Sequence, residues 1–184
     1  MINRVKSSCN YKSRIGFDEL LGSARANRRI RCRFHRPREK NLSEEEYTDY
    51  AKRALRLCSI HQKTCILQHF GKAAIRLHIP RFQCSLPYLE THSSLLYYMT
   101  TLGVSVHTVE EAVKAEQLGA TYLMASHVFP TACKPSDPPI GVDTVEAICK
   151  AVKIPVYALG GVTPKTISQL QDVPSKASPS CRAS

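Results

Sequence analysis

The sequence predicts an α/β protein built on a parallel sheet. From Asn41 onward, helix-periodic and strand-like segments alternate. The strand-like segments are nearly continuous apolar runs, as strands covered on both faces are. Single helices separate them, which is the connection a parallel pair requires. An open doubly wound sheet satisfies this pattern as well as a closed barrel does.

The first helix starts at Ser43, a cap with Glu46 three residues on, and Tyr47, Tyr50, Ala51, Ala54, Leu55 and Cys58 recur at helical spacing. Thr64–Leu67 is a short β-prone run, Phe70–Leu77 a short helix, and Arg81–Cys84 a strand before a polar and aromatic connection. Leu102–Val106 is the next strand; a helix follows from Thr108, with Glu111 completing a capping box and Gly119 as its stop. Thr121–Ala125 is a strand, Val142–Val152 a helix with Val142, Val145, Cys149 and Val152 on one side, and Ile154–Leu159 a strand with its proline at the edge. Thr163 and Pro164 then open another helix as cap and first helical residue.

Both ends depart from this regularity. Residues 1–37 hold little periodic apolar sequence and form an irregular basic region. After Gln171 the chain reads DVPSKASPSCRAS, a Ser/Pro-rich tail over 172–184 expected to be disordered and to form no strand. The single globular domain therefore falls at 38–171, within a chain of 184 residues that is long enough to bury a core.

The net charge is +11, yet residues 1–40 hold 12 Lys/Arg against 3 Asp/Glu, so the rest is nearly neutral. The stretch Arg25–Arg38 carries no fingerprint of a nucleic-acid-binding fold and reads as a solvated basic segment. No run long and apolar enough to span a bilayer occurs, so neither membrane nor nucleic acid is an expected partner and a cytoplasmic location is expected. The eight cysteines form no C-x-x-C pair and read as buried or incidental thiols, with no metal site.

Chemistry concentrates in two loops that follow strands. Ser126–Lys134 (SHVFPTACK) presents His127, Thr131 and Lys134 at the strand end that faces the ligand in parallel α/β folds. Lys134 can neutralise a phosphate, Thr131 can hydrogen-bond it, and His127 is suited to moving protons near neutrality. A surface loop anchored by Phe129 and Pro130 satisfies the spacing equally. In Gly160-Gly161-Val162-Thr163-Pro164, paired glycines allow close backbone approach and a helix N-terminus attracts an anion, although an ordinary tight turn fits too.

The segment from Gly103 to Pro164 (GVSVHTVEEAVKAEQLGATYLMASHVFPTACKPSDPPIGVDTVEAICKAVKIPVYALGGVTP) resembles the thiamine phosphate synthase/TenI family almost without gaps, and Arg38-Glu39-Lys40 is similar to its basic motif. The resemblance implies a TIM-type (β/α) barrel of parallel strands acting in thiamine biosynthesis. Because the family continues past the Gly-Gly helix into an eighth strand, the barrel is expected to be incomplete, truncated at the C-terminus with that strand missing and its first strand unclear. An open seam of that kind favours homo-oligomers.

Synthase members join hydroxymethylpyrimidine diphosphate to thiazole phosphate with magnesium, whereas TenI-type members aromatise a thiazole phosphate carboxylate by shifting a proton. Residue by residue, the resemblance assigns Arg38 and Lys40 to the pyrimidine diphosphate and Ser105 to the pocket wall. It assigns Thr131 and Lys134 to the phosphates, and the Gly160-Gly161 pair, through Gly161, to the thiazole phosphate. Where synthases carry their magnesium ligands, this chain has Gln68-His69 and Ser85-Leu86-Pro87-Tyr88, which leaves no hard-cation ligand. Where synthases commonly have Gly-Pro, it has Ser126-His127, and TenI-type proteins place their proton-transferring histidine there. The expected function is thus a tautomerase-like enzyme acting on a thiazole phosphate through His127 without a cofactor. The alternatives are a synthase, with magnesium and the pyrimidine diphosphate, and an inactive phosphate-binding barrel. His69 and His107 are weaker candidates, with capping or packing as natural roles for His107.

Overall fold

A computed structural model describes residues 32–33, 42–60, 62, 64–131, 134–163, 165–171, 173 and 181–183. The chain divides into two compact units, and among the described residues one comprises 32–83 with 97–100, the other 84–96 with 101–183.

In the first unit the order is β1 (Cys32–Arg33), α1 (Glu44–Ile60), β2 (Cys65–Gln68), α2 (Gly71–Arg76) and the start of β3 (Arg81–Ser85). β1 pairs in parallel with β2, and β2 with β3 in the register Leu67↔Phe82 and Gln68↔Gln83. The capping box at the head of α1 forms as the sequence predicts: the Ser43 N–H donates to Glu46 Oε2 at 2.8 Å, and the Glu46 N–H donates to Ser43 Oγ at 3.2 Å. Tyr47, Ala51, Ala54 and Cys58 are buried at helical spacing. The Tyr47 hydroxyl accepts a hydrogen bond from the buried Gln68 N–H at 3.1 Å, and its ring lies 4.9 Å from that of Phe70. One residue thus supplies apolar area to α1 and satisfies a main-chain donor at the end of β2.

The second unit carries α3 (Leu86–Thr91), a 3₁₀ turn (Ser93–Tyr97), β4 (Thr101–Val106), α4 (Val109–Gln117), β5 (Tyr122–Ser126), α5 (Gly141–Ala151), β6 (Val156–Leu159), α6 (Ser168–Gln171) and β7 (Cys181–Ala183). β4, β5, β6 and β7 pair in sequence order, all parallel. In each unit the strands pair in chain order without the reversal of a doubly wound sheet, which is barrel-type ordering. Leu102, Val104, Val106, Leu123, Met124, Ala125 and Val156 are buried, together with Val145 and Ile148 of α5. Glu116, near the end of α4, accepts from the N–H groups of Lys153 and Ile154 at 2.7 and 3.0 Å and so fixes the entry to β6.

Four expectations change. The Ser/Pro-rich tail does contribute a strand: Cys181–Ala183 pairs with β6, because a parallel ladder uses main-chain groups and this three-residue stretch holds no proline. Cys32–Arg33 supplies a strand in the basic region, too short to register as an apolar run. The connection after β3 is helical, with Ser85 as its cap and Pro87 in its first turn. Cys149 is disulfide-bonded, whereas Cys58, Cys65 and Cys84 are buried and form no disulfide; spacing alone carries no information about such pairing. No described helix is long and apolar enough to cross a membrane.

Candidate functional site

β5 delivers the chain into the loop that begins at His127, and that loop is laid along the end of β6. The Val128 N–H donates to the Leu159 carbonyl at 2.9 Å and the Phe129 N–H to the Gly160 carbonyl at 3.0 Å. From the other side, the Ile140 and Gly141 N–H groups donate to the carbonyls of His127 and Val128 at 2.9 and 3.2 Å. The residues around His127 are therefore tied at both edges by main-chain hydrogen bonds.

Gly160 and Gly161 make this contact sterically allowed. Both have left-handed backbone, with φ of +93° and +68°. A Cβ at Gly160 would lie 2.2 Å from His127 Cβ, and one at Gly161 would lie 2.6 Å from Phe129 Cβ and 2.7 Å from the Pro130 carbonyl oxygen. The two motifs that the sequence singles out separately are thus one packed structure.

His127 is 5% exposed, and its Nε2 lies 3.2 Å from the Asp137 carbonyl oxygen. A carbonyl only accepts, so Nε2 carries a hydrogen, and the neutral form of the ring then has its lone pair on Nδ1. Asp137 also holds Lys134: its Oδ2 lies 3.6 Å from Lys134 Nζ, and the Lys134 N–H donates to the Thr131 carbonyl at 3.1 Å. Thr131, Lys134 and Asp137 line an open cleft of about 570 Å³ whose remaining walls are largely proline; His127 is not among them. Sequence reasoning passed over Asp137, although an acidic residue three positions after Lys134 in the turn-forming PSDPP segment was a signal for it.

At the other loop, the N–H groups of Gly161 and Val162 take no partner among the described residues. The expected helix after Thr163 gives way to a turn, with α6 starting only at Ser168. The Thr163 N–H is engaged by Thr166 Oγ1 at 2.8 Å, the Thr166 N–H donates to Thr163 Oγ1 at 3.2 Å, and the Thr166 hydroxyl donates to the Gly161 carbonyl at 3.1 Å. Thr163 therefore closes its own turn, and the anion-accessible main chain is confined to the glycine side.

Ser105 is half-buried on β4 opposite Met124 of β5, one residue before the strand ends. His107 follows that strand, with its N–H donating to Glu111 Oε2 at 2.6 Å and its Nδ1 3.1 Å from the same oxygen. The helix cap is Thr108, which accepts from the Glu111 N–H at 3.2 Å. The carboxylate thus reaches one residue beyond the cap that the sequence assigns it, to the histidine. Arg38 and Lys40 lie outside the described residues.

A family profile described as thiamine monophosphate synthase matches residues 16–176. The chain belongs to this family. It is 35% identical over 138 residues to thiamine-phosphate synthase 2 of Streptococcus pneumoniae, covering 72% of this chain and 64% of that protein. It is 44% identical over 69 residues to thiamine-phosphate synthase of Pyrococcus horikoshii, covering 38% of this chain and 33% of the relative. The chain therefore spans under two thirds of the length of these relatives. Among solved structures it is similar to thiamine phosphate pyrophosphorylase from Pyrococcus furiosus, with a TM-score of 0.61 and 26% identity over 77% of this chain and 66% of the other. A structure titled native KDPGal shares the fold alone, with a TM-score of 0.53 and 20% identity over 86% of this chain and 74% of that one. The fold class is accordingly the TIM-type (β/α) barrel.

Magnesium, which the family resemblance implies for synthases, does not fit the residues present where its ligands are expected. Gln68 is a buried carboxamide, His69 follows it with φ of +68°, and the Ser85 hydroxyl caps α3 by accepting from the Tyr88 N–H at 3.4 Å. Neither place offers the carboxylate oxygen that a hard cation takes. Among the described residues no group of three or more His, Cys, Asp or Glu side chains converges for a metal.

Proposed function

We propose that this family member is a thiazole tautomerase-like isomerase that binds a thiazole phosphate and moves a proton on it. The observation that supports the reading is the 3.2 Å contact of His127 Nε2 with the Asp137 carbonyl: in the neutral ring Nε2 then carries the hydrogen and Nδ1 is left as the base. His127 removes a proton from one carbon, the electron pair enters the ring, and a proton is delivered to another carbon. No electrons are gained or lost.

Phosphate charge is met by Lys134, with Thr131 as a hydrogen-bonding neighbour and the Gly161 and Val162 N–H groups as main-chain donors. The family resemblance adds Ser105 to the pocket wall and Arg38 and Lys40 to the phosphate-binding residues. The functional domain covers residues 38–171, and the setting is thiamine biosynthesis in the cytoplasm. No step passes through magnesium.

The test is turnover of the non-aromatic thiazole phosphate carboxylate by purified protein, followed by the rise of aromatic absorbance. His127→Asn is expected to lower kcat by about 10²–10⁴-fold, the usual worth of a general base. Unchanged turnover would sink the reading and leave a phosphate-binding barrel. The second reading, a synthase, is supported by the names of the relatives. Magnesium-dependent formation of thiamine phosphate from hydroxymethylpyrimidine diphosphate and thiazole phosphate would put it first.

A further inference from the structure

The cleft beside the histidine loop is lined by both signs of charge, and the phosphate reading uses only one of them. Lys134 Nζ and Asp137 Oδ2 lie 3.6 Å apart, well beyond the roughly 2.7–2.9 Å of a close charge-assisted hydrogen bond, and their side chains are 46% and 60% exposed. Each therefore keeps hydrogen-bonding capacity for a ligand, the ammonium as donor and the carboxylate as acceptor. The backbone beneath them is held. The Asp137 carbonyl meets His127 Nε2 at 3.2 Å, the Lys134 N–H donates to the Thr131 carbonyl at 3.1 Å, and Pro130, Pro135, Pro138 and Pro139 restrict the chain around them. The two charges are thus presented on a pre-set loop, which lowers the ordering cost of binding.

A phosphate on Lys134 lies beside the Asp137 carboxylate. An anion with no positive group of its own is attracted by the one side chain and repelled by the other. A ligand that carries a phosphate and, a short distance away, a cationic nitrogen is attracted by both. We infer that this cleft of about 570 Å³ selects zwitterionic phosphate monoesters, with Lys134 on the phosphate and Asp137 on the positively charged nitrogen. The inference rests on the phosphate role given to Lys134 above, and it makes Asp137 the residue that sets specificity. It is independent of proton transfer at His127, which does not line the cleft. Because both side chains are about half exposed, water and salt screen their attraction, and the selectivity is moderate.

The experiment is titration calorimetry at low ionic strength with two probes that differ in one charge. O-phosphoethanolamine carries an ammonium at the end of its ethyl ester, and ethyl phosphate lacks it. The wild-type chain is expected to bind O-phosphoethanolamine about fivefold more tightly than ethyl phosphate, the worth of one exposed ion pair. Asp137→Asn is expected to abolish that preference by weakening the first probe and tightening the second. Lys134→Ala is expected to weaken both. Equal affinities of the wild-type chain for the two probes, or a change of the same sign for both in Asp137→Asn, overturns the inference and leaves Lys134 as a phosphate group. Unchanged affinities in Lys134→Ala, or no binding of either probe to the wild-type chain, overturns the phosphate role of Lys134 as well.

Discussion

Gly160 occupies a space against His127 that no side chain at position 160 can share: a Cβ there would lie 2.2 Å from the histidine Cβ. Glycine is also required by its φ of +93°, where an L-residue pays about 1–2 kcal/mol before any clash. Gly160→Ala is therefore expected to destabilise the chain by more than that amount and to displace the His127 ring. Denaturant unfolding together with the His127 imidazole NMR signals checks both. An alanine variant with wild-type stability and wild-type signals would show that the contact does not position the histidine.

Lys134 and Asp137 form an exposed pair at 3.6 Å, an arrangement worth at most about 1 kcal/mol to stability. In the proposed function the pair instead matters to an incoming phosphate, with which Asp137 would compete for Lys134. Asp137→Asn is expected to tighten phosphate binding, and Lys134→Ala to weaken it by roughly tenfold or more, the worth of one charge-assisted hydrogen bond. Asparagine keeps the main-chain carbonyl that His127 meets, so the histidine geometry is retained. Titration calorimetry with thiazole phosphate measures both; equal affinities would remove Lys134 from the phosphate site.

Tyr47→Phe deletes one oxygen and leaves the buried Gln68 N–H without its acceptor. The expected cost is about 1–3 kcal/mol, the penalty of an unmet buried donor, with little change in ring packing against Phe70. Equilibrium urea unfolding of the two proteins reads this difference. A change below about 0.5 kcal/mol would mean that water replaces the hydroxyl.

Burial pushes the Cys84 thiol up from 9.0 to about 12. Its contribution to stability is full below the unfolded value near 9 and is lost as pH rises from there through about 12, at no more than about 1.4 kcal/mol per pH unit. Cys84→Ala removes that part of the alkaline slope, as unfolding midpoints between pH 8 and 11 will show. Equal slopes in the two proteins would place the thiol in contact with water.

The sequence by itself determined the parallel α/β order, because apolar runs and capped helices are local and periodic: Ser43 with Glu46, and Thr108 with Glu111, mark helix starts that the fold keeps. It likewise marked His127, Lys134 and Gly160 as chemistry placed after strands. β1 and β7 escaped notice because two or three residues carry no period, and their strand character comes from the edge each one meets. Only tertiary structure decided that the histidine loop and the glycine pair are one packed unit, since residues 127 and 160 meet through a β5–β6 pairing that spacing cannot express. It also set the Asp137 carbonyl against His127 Nε2 and gave Glu111 to His107. Both follow from hydrogen bonds whose partners the chain fixes only once folded, because a donor finds its acceptor by distance and angle, not by position along the sequence.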